Sequence, residues 1–188
     1  MFNRIILYSI FFFKCLFCNA SIIDTTSNNI VLENKIEIVQ IESAKHIQFK
    51  YAILLGVELE SLSNLKLLDF IESWMGTRYL YGGVSKKGVD CSAFTQILLK
   101  EVYNIPTHRI VGDQYNNCEP IERKNLKLGD LLFFKTDNKN RLGHVAFYLG
   151  NNSFIHASVN KGITIDNLNN RYYANAFRLC GRPKYKTI

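Results

Sequence analysis

Residues 88–100 read "GVDCSAFTQILLK", and the reading of Cys91 within them decides the fold. Asp90 has the side chain of an N-cap: its carboxylate can accept hydrogen bonds from N–H groups that a first helical turn leaves unpartnered. Downstream, Phe94, Ile97, Leu98 and Val102 recur at helical spacing. The stretch predicts a helix that carries a cysteine in its first turn and closes at "NIP", near residue 104. In that position the backbone dipoles and free N–H groups favour a thiolate, and nearby amides can hold an oxyanion. The Asp90 carboxylate next door opposes a second anion. A nucleophilic Cys91 therefore needs a basic partner, and without one it is a small buried residue.

His144 in "RLGHVAFYLG" and His156 in "SFIHAS" are the candidate partners. Both segments alternate as strands do. If Asn151–Asn152 forms a two-residue turn, residues 150 and 153 pair and the two imidazoles face opposite sides. If the loop is Gly150–Asn152, His156 faces Ala146 and lies diagonally from His144. Diagonal neighbours are about 7–8 Å apart at the backbone, within reach of two rings. Gly and Asn tolerate the positive φ such a loop needs. The sequence permits this pair without forcing it. With the pair formed, His144 takes the thiol proton and returns one to the leaving amine, while His156 orients it. Otherwise both are core histidines bonded to backbone. His46 and His108 read as surface or packing residues.

Further upstream, "LKLLDFIESWMG" places Leu67, Leu68, Ile71 and Trp74–Met75 at helical spacing, with Ser63 or Asn64 as the cap and Gly76 at the end. "KYAILLGVELE" reads as a short helix stopped by Gly56. "TRYLYGG" is an aromatic turn. Beyond residue 104 a long polar connection leads to strands in "LKLGDLLFF", the two histidine segments and "GITID". Helices followed by antiparallel strands indicate an α+β fold rather than the alternation of a parallel sheet. The 188 residues, 47% hydrophobic and 21% charged, suit one ordinary globular core. The net charge of +7 suits an acidic partner, although compositional drift explains it equally well. No basic helix is interleaved with aromatics, which argues against nucleic acid.

The opening "MFNRIILYSIFFFKCLFCNA" has Arg4, an apolar run over Ile5–Phe13 and an end that imitates a cleavage site. Residues 1–20 therefore read as a signal peptide, because Lys14 and Asn19 interrupt the roughly 20 apolar residues a retained membrane helix needs. This predicts export to the periplasm or cell envelope. A lipidated Cys15 or Cys18 is the one route to membrane attachment, and neither has the small preceding residues of a lipidation site. Residues 21–64 read as a linker and a short helical segment. Cys91, Cys118 and Cys180 remain after cleavage, so at least one thiol is unpaired, and Cys118 and Cys180 could pair with each other. No CxxC pair occurs after residue 20, so neither a zinc ribbon nor a thioredoxin-type site is suggested.

In this order, "GTRYLYGG", "GVDCSAF", "LKLGDLLFF", "GHVAFYLG" and "FIHAS" resemble the NlpC/P60 cell-wall peptidases of the papain-like superfamily. The likeness runs from Leu65 to about Pro183, includes the closing "RYYANAFRLCGRP" as a last strand, and suggests a catalytic domain over 65–185. Ala93 stands where the family usually has glycine. The resemblance implies Cys91 as nucleophile, His144 as base and His156 as orienting residue. It further implies Tyr79 at the cleft, and Asp90 and Ser92 binding the free amino end of a stem peptide. By the same resemblance the substrates are peptidoglycan stem peptides, cut between the D-glutamate γ-carboxyl and the diamino acid. The chain is expected to act as a monomer with no cofactor and no metal. Three rival readings are amide or acyl transfer on the same triad, a catalytically inactive wall-binding module, and a metal site built from Cys91, His144 and His156.

Overall fold

The computed structural model describes residues 32–33, 35–135 and 141–184. The expected signal peptide, with Cys15 and Cys18, lies outside the described residues. The chain divides into two units, 1–46 and 47–188. In the first, the described residues are helical. This departs from the sequence reading, which found only a mixed pattern from residue 36 on. Ile36, Ile38, Val39 and Ile41 are all exposed there, so no buried stripe marks the helix.

The second unit opens with helix α1 (residues 47–55), which stops at Gly56, a residue at φ 61°. Helix α2 (Leu65–Trp74) is capped by Asn64, whose side chain accepts from the Leu67 N–H at 3.0 Å. It buries Leu67, Leu68, Phe70, Ile71 and Trp74. A small hairpin of β1 (Val84–Ser85) and β2 (Gly88–Val89) follows the aromatic turn. The turn needs both its glycines, for different reasons. Gly82 sits at φ +74°, and a Cβ on Gly83 would lie 2.4 Å from the Gly88 carbonyl oxygen.

Helix α3 (Cys91–Tyr103) begins at Asp90 and ends on Asn104 in the left-handed conformation at φ 56°. The next segment departs from the expected polar connection. It folds into helix α4 (Val111–Asn116) and strand β3 (Cys118–Ile121). β4 (Leu131–Lys135), β5 (Leu142–Gly150), β6 (Ser153–Ser158) and β7 (Gly162–Asn167) form an antiparallel meander. "RYYANAFRLCGRP" is not one strand. Its first half is helix α5 (Arg171–Ala176), and its second is β8 (Phe177–Pro183), which returns to lie between β3 and β4. The sheet order is β3-β8-β4-β5-β6-β7.

Both faces of this sheet are covered. Leu131, Phe133, Val145, Phe147, Leu149 and Ile155 pack with α2 and α3. Leu132, Phe134, Ala146, Tyr148 and Phe154 pack on the other side with Leu168, Tyr173 and Phe177. Double coverage explains why β4 is an unbroken apolar run rather than an alternating one. It also separates Cys118 from Cys180, which lie in the clusters of opposite faces. Both thiols are unpaired, donating to the Gln114 and Ile121 carbonyls respectively.

Candidate active site

The head of α3 is built around the Asp90 carboxylate. Oδ1 accepts from the Ala93 N–H at 2.8 Å, completing the N-cap, and from the Ser92 hydroxyl at 3.2 Å. Oδ2 accepts from the Gly82 N–H at 3.0 Å, which ties the glycine turn to the helix. The Arg109 guanidinium then clasps both oxygens and also donates to Ser92 Oγ at 2.7 Å. Burial alone would push the Asp90 carboxyl up, but these donors outweigh it and hold it below the usual carboxylate range. Five donors fill the lone pairs of Asp90, so the acid acts as a fixed strut of the cleft wall. Ser92 is fastened to the same cluster.

Cys91 is the first residue of α3 and is 6% exposed. It lines a cleft of about 590 Å³ with Tyr79, Asp90, Ser92, Arg109 and Gly143. Burial pushes the Cys91 thiol up, and the Asp90 charge adds to this. The N–H groups of Val145, Ser92 and Cys91 itself pull it down without prevailing. The Val145 amide is the informative contact, because it brings the sulfur against the β5 residue that follows His144. Tyr79 bridges to Val89 and stands at the cleft. Its phenol is raised first by burial and then by the charges of Cys91 and Asp90, so it stays a hydroxyl donor at neutral pH.

The β5–β6 hairpin combines the two turns considered from sequence. Gly150 pairs with Ser153 across a two-residue turn in which Asn151 and Asn152 sit at φ 46° and 61°. The register then shifts at Leu149, so that Tyr148 pairs with Phe154 and Phe147 with Ile155. This bulge restores the offset that a three-residue loop would have produced. His144 and His156 consequently share a face, with His144 Nε2 2.7 Å from His156 Nδ1. Their rings are nearly perpendicular, with centroids 5.0 Å apart. Burial and the neighbouring His156 push His144 well below the ordinary imidazole value.

Two residues that the sequence reading missed complete the arrangement. Arg109 comes from the stretch expected to be a featureless connection. It is positioned by Gln114, fully buried, which donates to the carbonyls of Ser92 and His108 at 2.8 Å each and accepts from Thr95 Oγ1 at 2.9 Å. Asp166 on β7 lies 3.0 Å from His156 Nε2 through its Oδ2. Tyr173 donates to the same oxygen at 2.8 Å, and Lys161 donates to Oδ1 at 3.2 Å. The Asp166 carboxyl is held down at about 2. Burial opposes this, but hydrogen bonds from His156, Tyr173 and Lys161 prevail. On β6–β7 the register pairs His156 with Thr164, which makes Asp166 a diagonal neighbour of His156. The diagonal rule applied to His144 and His156 would have found it, had the β6–β7 register been known.

The histidines' engagements also bear on a metal site. Both nitrogens of His156 and one of His144 already have partners. Among the described residues no group of three or more His, Cys, Asp or Glu side chains converges as a metal site would require. No helix among them is long and apolar enough to cross a membrane.

A cysteine at a capped helix head, set against a strand that carries a histidine bonded to a second histidine, is the arrangement the five sequence blocks suggested. The sequence profile of the NlpC/P60 family matches residues 76–182, more than half of the chain. The chain belongs to the NlpC/P60 family. Among similar NlpC/P60 proteins, a "probable endopeptidase NlpC homolog" of Haemophilus influenzae is 41% identical over 111 residues, 59% of this chain and 58% of the relative. The Escherichia coli protein named murein DD-endopeptidase MepS/murein LD-carboxypeptidase is 36% identical over 112 residues, 60% of this chain and 58% of its own length. This chain thus spans less than two thirds of either relative. A crystal structure of an NlpC/P60 family protein from Bacillus cereus superposes with a TM-score of 0.57 at 31% identity, covering 62% of this chain and 39% of that one.

Proposed function

We propose that this NlpC/P60 chain is a thiol endopeptidase of peptidoglycan stem peptides, acting in the cell envelope. The carrying observation is the 2.7 Å contact between His144 Nε2 and His156 Nδ1. It occupies one nitrogen of His144 and leaves Nδ1 as the candidate base on the strand that touches the Cys91 sulfur. In this reading Cys91 attacks the scissile carbonyl while His144 takes its proton. The tetrahedral intermediate collapses as His144 protonates the departing amine, leaving a thioester on Cys91. Water, deprotonated by His144, attacks the thioester and releases the acid and the thiol. The backbone N–H groups at the head of α3 and the Tyr79 hydroxyl are the donors available to the oxyanion.

The bond proposed is that between the γ-carboxyl of D-glutamate and the diamino acid, with Tyr79, Asp90, Ser92 and Arg109 forming the wall that receives the amino-terminal side. The name of the Escherichia coli relative, a murein DD-endopeptidase, favours a second reading, cleavage of a D,D cross-link. Mass spectrometry of purified stem peptides and cross-linked dimers, incubated with the protein and with Cys91→Ala, separates these. Release of an L-alanyl-D-glutamate dipeptide supports the first bond, and conversion of dimer to monomer stems supports the second. Hydrolysis that survives in Cys91→Ala would refute the thiol mechanism.

A further inference from the structure

We propose that Asp166 is a positioning residue that selects the tautomers of both histidines, making Nδ1 of His144 the basic nitrogen. This rests on the reading of His144 as the base. An ionised carboxylate only accepts hydrogen bonds. His156 Nε2, 3.0 Å from Asp166 Oδ2, must therefore carry a proton. A neutral imidazole has one N–H, so His156 Nδ1 is a bare lone pair. Its partner at 2.7 Å, His144 Nε2, must then be the donor. His144 thus holds its proton at Nε2, and its Nδ1 is free to accept another.

The alternative chain, with His156 protonated at Nδ1, fails at both ends. It sets a lone pair of His156 against the carboxylate. It also makes His144 Nε2 the acceptor, which moves the proton of His144 to Nδ1 and removes the base. Tyr173 does not rescue it. Its hydroxyl proton is directed to Asp166 at 2.8 Å, while its distance to His156 Nε2 is 3.4 Å. Lys161 braces the other carboxylate oxygen at 3.2 Å. Once His144 gains the thiol proton, its Nε2–H still donates to His156. Asp166, only 12% exposed, then stabilises the new cation through one intervening ring. No proton needs to reach Asp166.

The test has a readout that needs no substrate. Nitrogen NMR of ¹⁵N-histidine-labelled protein should show His156 protonated at Nε2 and His144 at Nε2, with His144 Nδ1 unprotonated. His156 protonated at Nδ1 in the neutral protein overturns the inference. Asp166→Leu removes the acceptor. It should lower kcat by between about 10²- and 10⁴-fold, leave KM within about two-fold, and scramble the tautomers. Asp166→Asn can still present an oxygen to His156, so it should keep the tautomers and lose less of kcat. A kcat within two-fold of wild type in Asp166→Leu overturns the inference. If Asp166→Leu does not fold, the wild-type spectrum and Asp166→Asn decide alone. Absence of stem-peptide hydrolysis by wild type, alongside the expected spectrum, refutes the proposed function and leaves the tautomer assignment supported.

Discussion

The head of α3 and the histidine-bearing strands both bury polar groups, and they treat charge in opposite ways. At the helix head the charge is permanent: Asp90 is ionised, clasped by Arg109 and saturated by backbone donors. On β5 the His144 ring is placed where charge is disfavoured, pushed down by burial and by the neighbouring His156. The Cys91 thiol between them is pushed up. Both shifts run away from a thiolate–imidazolium pair and favour a thiol and a neutral imidazole at rest. Fixed charge is confined to the scaffold, and mobile charge is created only as the reaction proceeds. The strut stays where it is because moving it would strand a buried carboxylate.

The largest effect that can test this contrast is removal of the group that changes charge. Cys91→Ala should lower kcat on stem peptides by about 10⁴-fold or more with an unchanged circular dichroism spectrum. A comparable loss of kcat from Ser92→Ala, which is fastened to Asp90 and Arg109 and changes no charge, would erase the distinction between the two regions.

A second test addresses the resting state. The raised thiol predicts that carboxamidomethylation of Cys91 by iodoacetamide is slow at pH 6 and climbs about ten-fold per pH unit toward pH 9. The lowered His144 predicts that the acid limb of kcat/KM lies below the ordinary imidazole value of about 6.5, because the base is lost only once pH falls through its own pKa. Fast, pH-independent alkylation between pH 5 and 7 would show a preformed ion pair and reverse the comparison.

Smaller effects come from the scaffold itself. Arg109→Ala should cost about 1–3 kcal/mol in urea unfolding at pH 7, between the values for exposed and buried pairs, because Arg109 is part exposed and Asp90 is 9% exposed. Asp90 is held below its ordinary pKa, so its contribution is present above about pH 4 and disappears as pH falls through the depressed value. The gap between wild type and Arg109→Ala should therefore narrow on acidification below about pH 4. A gap that widens there would mean that Arg109 does not act through the Asp90 charge.

The smallest effect belongs to the hairpin that aligns the histidines. Asn152→Ala, at φ 61°, should cost about 1 kcal/mol, read from the thermal midpoint. It should leave kcat nearly unchanged if the bulge at Leu149 holds the register.

The features legible in residue order lie mostly within one helical turn or one strand. Asp90 caps the helix because its carboxylate reaches an N–H three residues on, a contact that depends on local backbone geometry alone. Asn64 caps α2 for the same reason, and alternation marked the strands that carry His144 and His156. Contacts that depend on register or on distant chain are set only in the folded molecule. Neither loop length considered for the β5–β6 hairpin was complete, since the two-residue turn and the bulge at Leu149 act together. Arg109 reaches Asp90 across 19 residues, from the loop that joins α3 to α4. Asp166 meets His156 because the β6–β7 register sets His156 opposite Thr164, after a turn closed by Gly162 at φ +72°, where a Cβ would lie 2.3 Å from the Thr77 carbonyl oxygen. Local hydrogen bonds are written in residue order. Which side chains face one another across a sheet is set by turn geometry, where one extra residue turns a face over.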